Sequence, residues 1–168
     1  YARVANYIDF GMASSVDKET LFQLLNEAAQ DRMDEQVYAR LLDDLEKADK
    51  MVYITDNCGE IVCDKLVVEE MQKRFPGLDL TVLVRGENTL NDATMEDAVQ
   101  VGLCEVAKVT GNGCGVAGTP LAYVDEQTRR LLDEADVILA KGQGNFETMH
   151  GCGLNVYYSF LCKCDWFQ

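Results

Sequence analysis

Val52-Tyr53-Ile54-Thr55-Asp56-Asn57-Cys58-Gly59-Glu60 is the stretch whose reading decides the fold. A short β-prone run passes directly into a polar turn, and from Glu60 an amphipathic helical pattern takes over. Strand, turn, helix is the order that opens a crossover unit of a parallel sheet. Open α/β sheets bind their ligands outside the carboxyl ends of the strands, so a strand ending in Asp-Asn delivers a carboxylate and an amide oxygen to that edge. Hard oxygen donors there suit a divalent cation such as Mg2+ or Mn2+.

The same alternation continues downstream. Strands are expected over 51–55, 80–84, 105–109 and 137–140, and 156–164 has the apolar run of a further sheet segment. Between them, Val62, Cys63, Leu66, Val67 and Met71 give the first crossover helix an apolar stripe that Pro76-Gly77 stops. A short helix is expected over 93–101, with Glu96 and Asp97 placed well for its dipole, and another from the cap Asp125 through Leu131 and Leu132. Before the first strand, residues 1–50 are helical in pattern: a crowded first helix, a second capped by Asp17, and a third marked by Val37, Leu41, Leu42 and Leu45. The expectation is a three-layer α/β/α domain over 51–168 with a mostly parallel, Rossmann-like sheet, preceded by a helical region over 1–50 that packs on or near it.

Each expected strand empties into a polar or glycine-rich loop: Asp56-Asn57, Arg85-Gly86, Thr110-Gly111-Asn112-Gly113 and Lys141-Gly142-Gln143-Gly144-Asn145. In a parallel sheet these loops share one edge. Asp56, Asn57 and Asp92 then offer oxygen ligands to a metal, while Arg85, Lys141, Asn145 and loop N–H groups offer donors to an anion, a combination that points to phosphate chemistry. Each residue also has a plainer reading, Asp56-Asn57 as an Asx-turn and Asn91-Asp92 as a helix cap. Asn6 and Asp9, three apart on one helical face, either point into the site or are solvated.

Composition narrows the partners. The 168 residues are 48% hydrophobic and 26% charged, ordinary for one soluble domain. A formal charge of -14 argues against nucleic acid or an anionic membrane, because phosphate backbones are held by concentrated Lys and Arg. A small anionic substrate would have to be held by a metal and a few local donors. No apolar run approaches the roughly 18–20 residues of a membrane span. Seven scattered cysteines read as free thiols of a reducing cytoplasm, and Cys162-x-Cys164 as part of a sheet core rather than a zinc site. The chain opens at Tyr1 without Met and stops on an apolar segment, so a piece of a longer protein is expected. The oligomeric state is left open.

Other motifs carry less. Gly142-x-Gly144 lacks the third glycine of a dinucleotide fingerprint and follows the fourth strand rather than the first, no P-loop is present, and His150 has no nucleophile partner at an elbow.

The strings DNCGEIVCDKL (56–66), RGENTLNDATMED (85–97), TGNGCGVAGTPL (110–121) and ILAKGQGNFET (138–148) resemble, in order and spacing, the metal-dependent damage-control phosphatases. That family was formerly catalogued as domain of unknown function 89 and is also described as acidic-residue methyltransferase 1-like. The resemblance implies an α/β/α domain with added helices, hydrolysis of phosphate esters of small metabolites such as sugar phosphates or damaged cofactor intermediates, and a Mn2+, Mg2+, Co2+ or Ni2+ ion on Asp56, Asn57 and Asp92. It implies Lys141 and Asn145 as substrate-phosphate contacts, with Arg85 and Asn91 beside them, and it raises the standing of Asn6 and Asp9. Asp92 or Glu60 would take the proton of the attacking water, unless a carboxylate itself attacks. The resemblance also implies a longer chain, with a further helical stretch before and more chain after. Alternative readings are an S-adenosylmethionine-dependent carboxyl methyltransferase, whose cofactor would want a glycine-rich first loop where this chain has Asp-Asn-Cys-Gly-Glu, and a metabolite-binding domain without turnover.

Overall fold

The computed structural model describes residues 34–160, together with the isolated position Asn26. The expected first two helices, Asn6, Asp9, Cys162 and Cys164 lie outside the described residues. Helix α1 (Glu35–Lys47) begins at Asp34, whose carboxylate accepts from the Gln36 and Val37 N–H groups. It leads into β1 (Lys50–Ile54), α2 (Ile61–Arg74), β2 (Asp79–Val84), α3 (Met95–Gln100), β3 (Lys108–Gly111), α4 (Glu126–Asp133), β4 (Val137–Lys141), α5 (Gln143–Met149) and β5 (Val156–Ser159).

The five strands form one sheet in the order β3-β2-β1-β4-β5, and every pairing is parallel. The chain runs outward from β1 to β3, then returns to the other side of β1 for β4 and β5. The reversal falls between β1 and β4, where the register sets Ile54 beside Ala140. Open α/β sheets place their ligand crevice at such a switch point.

Strand side chains alternate between two cores, because successive residues of a strand point to opposite faces. Met51 and Tyr53 join Leu45, Ile61, Val68, Ala98 and Leu103 on the face covered by α1, α2 and α3. Val52 and Ile54 join Leu132, Ile138 and Met149 on the face of α4 and α5. This is the three-layer α/β/α arrangement expected from the sequence, and α1 accounts for the third of the expected early helices. Among the described residues no helix is long and apolar enough to cross a membrane.

Three local expectations are corrected. The third strand starts at Lys108 rather than 105, because Gly102 (φ 72°) turns the chain into a single 3-10 turn over Leu103–Glu105 that plugs Leu103 into the core. The inward face of α2 is Ile61, Asp64 and Val68, whereas Val62 and Leu66 are exposed. Asp64 takes a core-facing position because it meets partners there. Asn91-Asp92 is no helix cap, since α3 is capped by Thr94 in a reciprocal box with Asp97.

Candidate active site

The site is assembled by backbone pairing between the loops after β1 and β2. The Ala93 N–H donates to the Asp56 carbonyl at 2.7 Å, and the Cys58 N–H to the Asn91 carbonyl at 2.8 Å. Asn57 and Asp92 form an isolated antiparallel bridge. The Arg85 N–H, just past β2, reaches the Ala93 carbonyl at 2.8 Å. These bonds bring Asp56, Asn57 and Asp92 together at the carboxyl edge, as the loop positions predicted.

Their side chains are oriented from behind. Asn57 commits its Nδ2 to two carboxylates, Asp56 Oδ2 at 3.1 Å and Glu60 Oε1 at 2.6 Å. Its Oδ1 has no partner among the described residues. Arg85, nearly buried, donates from Nε and Nη2 to Asp92 Oδ2, both at 2.7 Å, which leaves Asp92 Oδ1 unengaged among the described residues. Burial pushes the Asp92 carboxyl above the usual aspartate range, and the Arg85 guanidinium pulls it only part of the way back. Gly142 (φ 82°) lets β4 come close, since a Cβ there would lie 2.1 Å from the Asp56 carboxyl carbon.

Beneath these groups lies a buried ionic network. Lys141 is wholly enclosed and donates from Nζ to Glu60 Oε2 at 2.6 Å and to Asp64 Oδ1 at 3.1 Å. The Tyr53 hydroxyl donates to the same Asp64 oxygen at 2.7 Å. Burial pulls Lys141 down, but Asp64 and Glu60 together more than offset it, so the side chain is an ammonium. Burial, aided by Asp64, holds the Tyr53 phenol far above its ordinary range, so it is neutral and donates. Asp64 Oδ2 is the one buried side-chain oxygen or nitrogen without a hydrogen bond among the described residues.

Asn145 is buried too, and ties the frame together. Its Nδ2 donates to the Thr55 carbonyl at 3.1 Å and the Lys141 carbonyl at 2.5 Å, joining the ends of β1 and β4, while its Oδ1 accepts from Thr119 Oγ1 at 2.7 Å. Asn91 is half-buried beside Asp92. His150 is exposed, its ring 4.9 Å from that of Phe146. The described cysteines are free thiols.

The donor set fits a hard divalent cation. Among the described residues Lys141 holds Glu60 and Asp64, Arg85 holds Asp92, and Asn57 Oδ1 and Asp92 Oδ1 are oxygens left over for a ligand. No three His, Cys, Asp or Glu side chains among the described residues are gathered tightly enough to hold a metal by themselves. Two carboxylates and an amide therefore leave room in the shell for water or substrate oxygens, the habit of Mg2+-like sites. Hollows of about 430 and 650 Å³ lie at the opposite, amino end of the sheet, beside Phe75 and Leu78 and beside Leu80 and Lys108.

Sequence reading missed Tyr53 and Asp64. The available signal was an acidic residue at a core-facing position of α2, between Ile61 and Val68.

Comparison with known proteins adds the context of this edge. The chain is 30% identical over 164 residues to the damage-control phosphatase PH1575 of Pyrococcus horikoshii, covering 97% of this chain and 56% of that protein. It is 37% identical over 118 residues to a damage-control phosphatase of Archaeoglobus fulgidus, covering 69% of this chain and 40% of that one. The crystal structure of the P. horikoshii protein, described as a DUF89 family protein, superposes with a TM-score of 0.85 at 29% identity, over 98% of this chain and 58% of that one. The chain thus spans about half the length of the curated relatives it matches. The model of the damage-control phosphatase ARMT1-like domain matches residues 1–168, and the chain belongs to that family.

Proposed function

We propose that the protein is a metal-dependent phosphatase that hydrolyses phosphate monoesters of small metabolites, with the metal on Asp56, Asn57 and Asp92. The observation that carries this reading is the pair of oxygens unengaged among the described residues, Asn57 Oδ1 and Asp92 Oδ1, brought together at the carboxyl edge of the sheet. The phosphatase names of two relatives support it.

A divalent cation bound there would neutralise phosphoryl oxygens and make a bound water more acidic. The chain's own groups do the rest. Arg85 fixes the Asp92 carboxylate and Glu60 fixes the Asn57 amide, so both present oxygen to the same edge. Of the two carboxylates considered for the water's proton, Glu60 has both oxygens occupied, by Asn57 and Lys141, and Asp92 has Oδ2 on Arg85 and Oδ1 assigned to the metal, so the geometry singles out neither as the base. Lys141 and Asn145, expected as phosphate contacts, are both fully buried and engaged, so in this reading they support the cradle from below. Arg85, nearly buried and committed to Asp92, supports the cradle in the same way, and loop N–H groups are the remaining donors to the phosphate.

The test is phosphate release by the intact protein from sugar phosphates and phosphorylated cofactor fragments, with Mn2+ and then with chelator. Release that the chelator stops is expected. Release indifferent to chelator, or transfer of a methyl group from S-adenosylmethionine in its place, would overturn the reading.

A further inference from the structure

Asp64 has no role in the chemistry above, yet it sits in a costly arrangement. Two carboxylates, one ammonium and a phenol share a site without solvent, and Asp64 Oδ2 is left without a hydrogen bond. Buried ion pairs are often no better for stability than apolar side chains of the same volume, and an orphaned buried oxygen is a net penalty. Core stability alone does not account for such a cluster. Its connectivity does: each bond limits the next group in one direction, toward the edge of the sheet.

The relay starts on β1. The Tyr53 hydroxyl fixes Asp64 Oδ1, and Asp64 Oδ1 anchors one side of the Lys141 ammonium. The other side of that ammonium holds Glu60 Oε2, which leaves Glu60 Oε1 for Asn57 Nδ2. With Nδ2 so held, Asn57 must present Oδ1 to the ligand. Glu60 and Asp64 stand one helical turn apart, where two carboxylates repel unless a cation sits between them. Lys141 is that cation.

We propose that Asp64 is a positioning residue for the metal cradle: it holds Lys141 beneath Glu60, and through Glu60 it keeps the oxygen rather than the nitrogen of Asn57 facing the metal. The proposal rests on the metal-dependent reading of the site. Without Asp64 the ammonium has a single anchor and moves wholly onto Glu60. Glu60 is then drawn from Asn57, and the amide is free to rotate.

Two readouts test this on the intact protein. Mn2+ affinity is measured from the free-ion electron paramagnetic resonance signal, and the Asn57 side-chain amide resonances are followed in the metal-free protein. Removal of such outer supports typically weakens metal affinity by about 10–100-fold. Asp64→Ala should fall toward the upper end of that range, and the isosteric Asp64→Asn, which keeps an oxygen for Tyr53 and Lys141 but loses the charge, near the lower end. Both should move the Asn57 amide signals. If Asp64→Ala does not fold, Asp64→Asn decides. Variants that bind Mn2+ like the parent with unmoved Asn57 signals would overturn the positioning role while leaving the metal reading intact. A parent protein that takes up no Mn2+ would overturn both.

Discussion

Asp92 is held by a guanidinium that has no other carboxylate in reach among the described residues, so its substitution acts on two groups at once. Asp92→Ala would leave Arg85 buried and unpaired, which costs roughly 1–3 kcal/mol and more for a charge. Asp92→Asn is the cleaner variant: an oxygen stays for Arg85, one anionic ligand is lost, and Mn2+-dependent phosphate release should fall to background with the melting temperature little changed. The raised Asp92 carboxyl has a further consequence, since protons and metal compete for the same oxygens. As pH falls, Mn2+ affinity should begin to decline above the ordinary aspartate range, and Arg85→Met should move that decline to higher pH still. Calorimetric titrations at a series of pH values would check it, and a decline confined to the ordinary aspartate range would contradict it. The metal candidates were legible in the sequence because a strand terminus places its next residues at a known edge. The inward turn of Lys141 was not, since it depends on Asp64, which lies far off in sequence.

At the scale of elements, the close approach of β4 to the loop after β1 depends on Gly142. An alanine there would need a left-handed backbone and would meet the Asp56 carboxylate at 2.1–2.3 Å. Gly142→Ala should therefore lower stability by about 1–3 kcal/mol and weaken Mn2+ binding together, because Asp56 itself must move. Thr94→Ala removes the α3 cap and should cost about 1 kcal/mol in denaturant unfolding. Its effect on Mn2+ affinity should be smaller than that of Gly142→Ala. The positions of β1, β2 and β4 and the existence of α2, α3 and α4 followed from apolar periodicity and turn residues, whereas the strand order came only with the structure. The face of α2 followed only in part: Val67 and Met71 pack against the core as expected, Val62 and Leu66 are exposed, and Asp64 is buried where it meets Lys141 of β4. The start of β3 was displaced because the apolar run continues through a turn set by the φ of Gly102.

For the whole molecule, the parallel sheet brings four loops to one edge, and the strand order reverses there between β1 and β4, the position at which open α/β sheets bind their ligands. Family membership and the all-parallel α/β fold agree with this geometry, while metal and substrate are claims about chemistry. The most direct test of the central claim is to titrate Mn2+ into metal-free intact protein and follow bound metal and phosphate release in the same samples. Release should rise in proportion to bound Mn2+, reach a plateau when the site is full, and stay at background in Asp92→Asn. Phosphate release that is already maximal without metal, or Mn2+ binding that Asp92→Asn leaves unchanged, would contradict the account.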